Sequence, residues 1–248
     1  MRMKEDHMLN GQLKPGYNIQ VGTENNFVIG YDVFQNPTDT RTLKPHLENV
    51  MKRLGCTFKT VIADAGYGSE ENYDYLEEKK ITGAVKYTSY EKEIKRSFRK
   101  KTYNAENWKY DEKTKEYTCP CGNPVPYKKT EQKKNKSGYI QTCEVYQCDN
   151  CEGCPFRALC TKSEYGRMIQ RNGHWLEQKL KVRELLASDE YKSLMKRCST
   201  ECETVFGQIK ANQSFRRFRL CGIKKVGTEW GLLMIGYDFK QIARLMNA

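Results

Sequence analysis

The chain has 248 residues, which is enough for one large domain or for a domain that carries an insertion. Its 43 Lys and Arg outnumber its 31 Asp and Glu, and the resulting net charge of +12 indicates a polyanionic partner. The sequence shows no apolar run long enough for a membrane helix and no apolar signal-peptide core near its start. These features exclude a membrane partner and predict a cytoplasmic protein.

The positive charge is clustered rather than evenly spread. It concentrates at residues 92–101, 128–136 and 216–225, and the last cluster follows closely on Phe215 and contains Phe218. Basic side chains can contact phosphates while aromatic rings can stack on bases, so this interleaving favours a nucleic-acid partner.

The first part of the chain alternates strand and helix signals. A turn at residues 24–26 separates two β-rich runs, a glycine at 55 ends an amphipathic helix, and Ser69 with Glu70 and Glu71 marks another helix start. The short strand at 59–63 carries Asp64 at its carboxyl end, and the glycines at 66 and 68 predict a turn after it. The predicted elements are a hairpin (17–23 and 27–34), a helix (43–54), a strand (59–63), a helix (69–79) and a strand (81–87). Asp39 is predicted to cap the helix that follows it, although its position near a strand edge also keeps it a candidate site residue. This order predicts a mixed α/β layer.

Residues 89–173 differ in composition, with many Lys, Tyr, Asn and Cys and few aliphatic side chains. Seven of the 11 cysteines lie here, including the series Cys148-x2-Cys151-x2-Cys154-x5-Cys160. Thiolates at this spacing can bind one tetrahedral Zn²⁺, which would stabilise a module with a small apolar core. We expect the zinc ligands to be Cys119, Cys151, Cys154 and Cys160, with Cys148 or Cys121 as alternatives. An iron-sulfur cluster or free thiols are the other interpretations.

Helical patterns resume at 174–186, 191–211 and 228–246. In the second of these, Cys202, Val205, Phe206 and Ile209 form one apolar face, and Glu201 and Glu203 lie on its two flanks. On its own this is an ordinary amphipathic surface helix. A carboxylate at a strand edge, a carboxylate on a later helix and an adjoining basic tract together favour two-metal phosphoryl transfer, because hard cations need convergent carboxylates.

Several segments resemble a known family. Ile62-Ala-Asp-Ala-Gly-Tyr-Gly-Ser69, Cys202-Glu-Thr-Val-Phe-Gly-Gln-Ile-Lys210 and Phe215-Arg-Arg-Phe-Arg-Leu220 are similar to signature segments of bacterial insertion-sequence DDE transposases. Residues 11–20 and 229–233 also resemble the subgroup that carries a cysteine-containing insertion before the catalytic Glu. The resemblance covers nearly the whole chain.

The resemblance implies an RNase H-like mixed sheet with flanking helices, interrupted by a Cys-rich insertion. Residues 1–88 would be the first part of this core, 89–173 the insertion and 174–248 its helical continuation. Asp64 would be the second Asp of the family and Glu203 its Glu, with Glu201 as the alternative, and together they would bind Mg²⁺ or Mn²⁺. Glu203 is preferred because it directly precedes the Thr-Val-Phe-Gly segment. The expected partner is DNA, at transposon ends and target, bound by a nucleoid-associated homo-oligomer through Lys210, Arg216, Arg217, Arg219, Lys224 and Lys225.

The resemblance also carries an expectation about the start of the chain. The family places its first Asp on a first strand before the hairpin, and here neither Asp6 nor Asp32 lies on such a strand. We therefore expect a C-terminal portion that cannot cleave DNA alone. The rival interpretations are a non-enzymatic DNA-binding remnant or inhibitor and an RNase H-like nuclease.

Overall fold

A computed structural model describes residues 2–5 and 11–247, so Asp6 lies outside the described residues. The chain forms a mixed α/β structure, as the sequence predicts. The strands are β1 (Arg2–Glu5), β2 (Leu13–Gly16), β3 (Asn18–Glu24), β4 (Phe27–Phe34), β5 (Thr60–Gly68), β6 (Thr82–Tyr87), β7 (Lys109–Asp111), β8 (Glu116–Thr118), β9 (Pro124–Val125), β10 (Tyr127–Lys134), β11 (Ile140–Gln147) and β12 (Met168–Arg171). The helices are α1 (Leu43–Leu54), α2 (Glu70–Glu78), α3 (Tyr90–Glu93), α4 (Arg96–Arg99), α5 (Arg157–Cys160), α6 (Gly173–Ala187), α7 (Asp189–Gly207) and α8 (Ile223–Met246).

The described chain divides into two compact units. The first contains the described residues up to Tyr87 together with those from Lys181 onward, and the second is Thr88–Leu180. Within the described helices, none combines the length and apolar character that crossing a membrane requires.

The first unit contains the predicted hairpin, which is the antiparallel pair β3 and β4. The strands predicted at 59–63 and 81–87 form the parallel pair β5 and β6. Helix α1 ends at Gly55 in the left-handed conformation, and the Ser69 hydroxyl accepts a hydrogen bond from the Asn72 amide at the start of α2. Both helix boundaries confirm the capping signals in the sequence. Helix α8 packs against β4, and its buried Trp230, Met234 and Tyr237 form a core with Val205 of α7 and with Ile209, which follows α7.

Two predicted boundaries are wrong, the end of the strand at 59–63 and the start of the helix at 228–246. Residues 65–68 do not turn the chain, because β5 continues to Gly68 through an irregular register between Ala63 and Gly68. The backbone of β6 approaches Gly68 so closely that a Cβ there would lie 2.2 Å from the Lys86 carbonyl oxygen. Helix α7 ends at Gly207 and continues as a π-helical turn at Gln208–Asn212, and α8 begins at Ile223 rather than at 228.

Within the described residues the strands form five small sheets of two or three strands each. The hairpin and the parallel pair therefore belong to separate sheets. The continuous RNase H-like sheet and the division into residues 1–88, 89–173 and 174–248 stay predictions.

The second unit has its own core. Two antiparallel three-stranded sheets, β7–β8–β9 and β10–β11–β12, bury Trp108, Val125, Tyr146 and Ile169 together with Cys148. Lys179 and Glu93, which are both largely buried, form an ion pair with a 2.7 Å distance between Nζ and Oε1.

Candidate active site and nucleic-acid interface

Two carboxylates of the first unit lie on elements that pack together. Asp64 is exposed on β5, Glu203 is exposed on α7, and α7 packs against β5. Neither carboxylate has a hydrogen bond or ion pair with any described residue. Both are therefore accessible to a ligand from solution.

Glu201, the alternative to Glu203, has a different environment. Its carboxylate is buried and accepts a hydrogen bond from the Arg197 guanidinium, with Nη2 3.1 Å from Oε1. It lines a cavity of about 350 Å³ that lies between β3, β5, α1 and α7. The two flanks of one helical turn thus carry one engaged carboxylate and one unengaged carboxylate.

Asp32 and Asp39 are held by protein groups. Asp32 is buried, and its carboxylate contacts His46 Nδ1 at 2.7 Å, Arg53 Nη2 at 2.6 Å and Asn49 Nδ2 at 3.1 Å. The Asp39 carboxylate accepts from Asn18 Nδ2 at 2.8 Å and Gln20 Nε2 at 3.3 Å, whereas Thr42 is the residue before α1. The prediction that Asp39 caps this helix through its side chain is therefore wrong, because side chains of β3 bind that carboxylate instead.

An aromatic cavity of about 340 Å³ opens beside the end of α7. Phe206 and Trp230 are stacked with ring centroids 5.7 Å apart, and Phe215 and Phe218 make edge contacts with Trp230 at centroid distances of 6.0 and 6.1 Å. Lys210 lies over the Phe206 ring, with Nζ 5.5 Å from its centroid, and also lines the cavity. Asn18 and Asp39 contribute polar groups to the same cavity. We call this site the aromatic cavity.

The basic tract that follows is an irregular loop at residues 213–222, which we call the basic loop. Phe215 and Phe218 pack into the α7–α8 core, while Arg216, Arg217 and Arg219 between and beside them are exposed. The Glu229 carboxylate accepts hydrogen bonds from the backbone amides of Arg219 and Leu220 at distances of 2.9 to 3.1 Å. The aromatic anchors and this carboxylate fix the loop backbone while the guanidinium groups stay free to meet a polyanion. Lys224 and Lys225 extend the exposed basic surface onto the first turn of α8.

Six cysteines of the second unit line one small cavity: Cys119, Cys121, Cys148, Cys151, Cys154 and Cys160. The sulfurs of Cys121 and Cys154 are 3.4 Å apart, and the Arg167 amide donates to the Cys151 sulfur at 3.4 Å. The hydrogen bond with Cys154 raises the pKa of the Cys121 thiol to about 11, and burial raises that of Cys148 to about 12. All four cysteines predicted as zinc ligands belong to this cluster, together with both alternatives.

The donor types suit the expected metals, but ligand geometry is not assembled. Carboxylate oxygens of Asp64 and Glu203 are suited to Mg²⁺ or Mn²⁺, and thiol sulfurs are suited to Zn²⁺. Sulfur ligands of one tetrahedral zinc lie about 3.8 Å from each other, which is close to the Cys121–Cys154 distance. Among the described residues, no group of three or more His, Cys, Asp or Glu side chains is arranged to hold a metal ion.

Sequence reasoning missed the aromatic cavity as a site. Trp230 is interpreted from its helical pattern as a core residue, and the structure confirms its burial at 3% exposure. Its partners come from α7, the basic loop and the segment before β3, which are far apart in the sequence. The available signal was the group of aromatics at 206, 215 and 218 beside basic residues.

Comparisons with known proteins identify the family. A family profile described as a transposase DDE domain matches residues 118–243, which is just over half of the chain. Comparisons with curated proteins and with solved structures find no match to this chain. The profile covers α7, the basic loop and most of α8, and the chain therefore belongs to the family of DDE transposases.

Proposed function

We propose that the chain is the catalytic region of an insertion-sequence transposase and that Asp64 and Glu203 serve as metal ligands for phosphoryl transfer on DNA. Family membership supports a function in DNA transposition. The observation that carries the residue assignment is the contrast on α7, where Arg197 engages Glu201 and Glu203 stays unengaged and exposed. A carboxylate that already neutralises a guanidinium is a weaker ligand for an added cation than a carboxylate with no partner.

We also propose that the first unit corresponds to an RNase H-like core. The antiparallel hairpin β3–β4, the parallel pair β5–β6 and the helices α1 and α7 supply elements of such a fold. The cysteine-rich residues 89–173 would then be its insertion, placed between the strand that carries Asp64 and the helix that carries Glu203.

The protein side chains would have two separate roles, which are to bind the metal ions and to bind the DNA backbone. Divalent ions, when bound by Asp64 and Glu203, supply Lewis acidity for in-line displacement at a phosphate. Lys210 and the exposed Arg216, Arg217 and Arg219 neutralise the DNA backbone and hold it beside this pair. The hydrogen bonds to Glu229 would keep the basic loop in a fixed conformation while DNA binds.

Binding of Mn²⁺ measured by electron paramagnetic resonance tests the carboxylate assignment. We expect Asp64→Asn and Glu203→Gln each to weaken Mn²⁺ binding at least tenfold in the presence of duplex DNA, because each substitution removes a charged ligand. Glu201→Gln is the matched control and should retain Mn²⁺ affinity within about twofold, since its carboxylate pairs with Arg197. Equal loss in Glu201→Gln and Glu203→Gln would refute the preference for Glu203.

We further propose that this chain alone does not cut transposon ends. The family resemblance assigns Asp64 and Glu203 to two of the three carboxylates, two Asp and one Glu, from which DDE transposases take their name. Incubation with Mg²⁺ and a labelled end duplex should give binding without cleavage. Robust cleavage that Asp64→Ala abolishes would contradict this proposal. Cleavage of any structured duplex regardless of its ends would instead indicate a nuclease.

A transposon has two ends, and two copies of this chain would place one Asp64 and Glu203 pair at each end. We therefore propose a homo-oligomer on DNA. Light scattering of the protein with and without an end duplex measures the protein-to-DNA ratio. A strictly 1:1 complex at saturating protein would contradict an oligomer.

We propose a structural zinc ion in the cysteine cluster of the second unit. The clustering of six thiols around one small cavity and the backbone hydrogen bond to Cys151 support it, because amide donors commonly stabilise bound thiolates. The test is zinc content of protein purified without chelator. One equivalent is expected, with loss in Cys151→Ser and Cys154→Ser and retention in the exposed control Cys56→Ser. Metal content near zero in the unsubstituted protein would refute zinc, and iron with visible absorbance would indicate an iron-sulfur cluster.

A further inference from the structure

We propose that helix α8 pairs two copies of this chain through an apolar stripe along one of its faces, an inference that rests on the proposed homo-oligomer and names its interface. The helix has 24 residues. Its stripe consists of six side chains that are 43 to 81% exposed: Leu232, Ile235, Phe239, Ile242, Leu245 and Met246. Apolar residues scattered singly over a surface are ordinary, but these six lie next to each other along one helix face.

Helix α8 is apolar on two opposite sides. One side is buried in the core of the first unit through Trp230, Met234 and Tyr237. Successive residues of an α-helix are about 100° apart around the axis, so Leu232 points away from Trp230 and Phe239 points away from Tyr237. A helix that is apolar all round is normally buried on every side. The stripe therefore needs a partner in addition to the core.

The spacing of the stripe indicates what kind of partner covers it. Five of its residues follow one another at steps of three, four, three and four, which is the heptad spacing of a coiled-coil seam: Leu232, Ile235, Phe239, Ile242 and Met246. Such a seam accepts side chains from another helix with the same spacing, whereas a lipid surface requires no such steps and DNA presents charged phosphates. A second copy of α8 carries the same seam, and a two-fold dimer buries the same patch on both chains.

The area of the stripe fits a stable dimer. A fully exposed side chain of this size presents roughly 200 Å², so the six side chains at these exposures offer on the order of 700 Å². A standard interface buries about 800 Å² on each partner, whereas the largest apolar patch of a typical monomer is about 300 to 600 Å². The stripe therefore has the area of an interface rather than that of an ordinary surface patch.

No charged side chain of residues 232–246 occupies a seam position. The three charged residues in this range lie beside the seam, at Asp238, Lys240 and Arg244. Asp238 Oδ1 accepts a hydrogen bond from the Val28 amide at 2.9 Å, which directs this carboxylate toward β4. Pairing of two stripes would therefore bury apolar groups without enclosing an unpaired charge.

Sedimentation equilibrium without DNA, over protein concentrations of about 0.5 to 50 μM, tests the dimer. We expect a mass that rises toward twice the 29.0 kDa of one chain. Phe239→Glu places a charge at the middle of the seam and should raise the dimer dissociation constant at least about 100-fold, because a carboxylate in an interface core loses its hydration. Phe239→Leu keeps an apolar side chain there and should keep the dissociation constant within about tenfold.

The matched control is Leu54→Glu. Leu54 is an apolar residue of similar exposure, at 46%, but it lies at the end of α1 instead of on the stripe. This substitution should leave the dissociation constant within about threefold of the original. Ile235→Glu should dissociate the dimer as Phe239→Glu does, and it provides an independent test if Phe239→Glu fails to fold by circular dichroism.

A monomer at every concentration, with or without binding to lipid vesicles, would overturn pairing through α8. A dimer that persists in both folded glutamate variants of the stripe would overturn it as well. In either case, two chains bound per end duplex would leave the proposed homo-oligomer on DNA intact. A dimer that dissociates in the stripe variants but binds no end duplex would support the α8 interface and contradict the proposed function.

Discussion

Gly68 is the position where a single methyl group should disturb the strand that carries Asp64. A Cβ at Gly68 would lie 2.2 Å from the Lys86 carbonyl oxygen and 2.6 Å from the Tyr87 Cα. Ordinary contacts of this kind begin near 3.4 Å, so β5 and β6 would have to separate by about an ångström. The obstructing atoms belong to backbone, and the Tyr87 side chain is completely buried, so no flexible group can move aside.

The expected cost of Gly68→Ala follows from this overlap. Overpacking in a closely packed interior costs about 1 to 3 kcal/mol and occasionally more, and the backbone position places this substitution at about 3 kcal/mol. With an m-value of about 2 kcal/mol/M, the urea midpoint should fall by about 1.5 M. Far-UV circular dichroism during urea unfolding measures this shift.

Gly236→Ala is the matched control for Gly68→Ala. Gly236 lies inside α8, and a Cβ there meets no atom within 4 Å. Alanine restricts the unfolded chain and favours helix, so the free energy of unfolding should rise by about 0.5 to 1 kcal/mol. If Gly68→Ala stayed within about 0.5 kcal/mol of the unsubstituted protein, the reasoning from close backbone approach would be refuted.

Three further predictions test the ion pairs and the basic loop. Asp32→Ala should lower the free energy of unfolding by about 3 kcal/mol, because it leaves His46 and Arg53 without their buried acceptor. The control Asp64→Asn, at an exposed position, should change this free energy by less than about 0.5 kcal/mol. An unaffected urea midpoint in Asp32→Ala would contradict a structural role for Asp32. Lys179→Met should destabilise the second unit by about 3 kcal/mol, because the buried Glu93 carboxylate loses its ammonium partner. Adding Glu93→Leu should recover most of the loss in thermal unfolding, and no recovery in the double variant would count against the ion pair as the cause. The triple variant Arg216→Ala, Arg217→Ala, Arg219→Ala should reduce the slope of log affinity against log salt by about 3, measured by DNA-binding anisotropy. The control triple variant Lys52→Ala, Lys79→Ala, Lys80→Ala removes the same charge elsewhere and should leave the slope within about 1 of the original value. Equal slopes in the two triple variants would show that the basic loop has no special part in DNA binding.

Local signals predicted much of the first unit. The glycine at 55 and the Ser69 cap act within a few residues of the helix ends that they define, and both ends lie as predicted. The apolar face that runs from α7 into the π-helical turn was also predictable, since Val205 and Ile209 are fully buried at the spacing that the sequence shows. Glycines at 66 and 68 were misleading because the same residue type serves a turn and a close approach of two strands.

The burial of the candidate site residues could not be predicted from the sequence pattern. Helical periodicity places Glu201 and Glu203 on opposite flanks of one face but cannot distinguish a buried flank from an exposed one. That difference depends on Arg197 and on the cavity lined by β3, β5 and α1. The aromatic cavity likewise depends on Trp230 and Phe206 meeting across 24 residues of chain.

Consecutive residues were enough to show the family resemblance, the basic tract and the candidate carboxylates, because motifs, charge and short-range periodicity are local properties of a chain. Tertiary contacts establish that Glu201 is engaged and Glu203 is not, that β5 continues to Gly68, and that five aromatic residues line a cavity beside Lys210. Each of these facts depends on contacts between segments distant in the chain. Such contacts are set by packing and long-range pairing, for which neighbouring residues carry little signal.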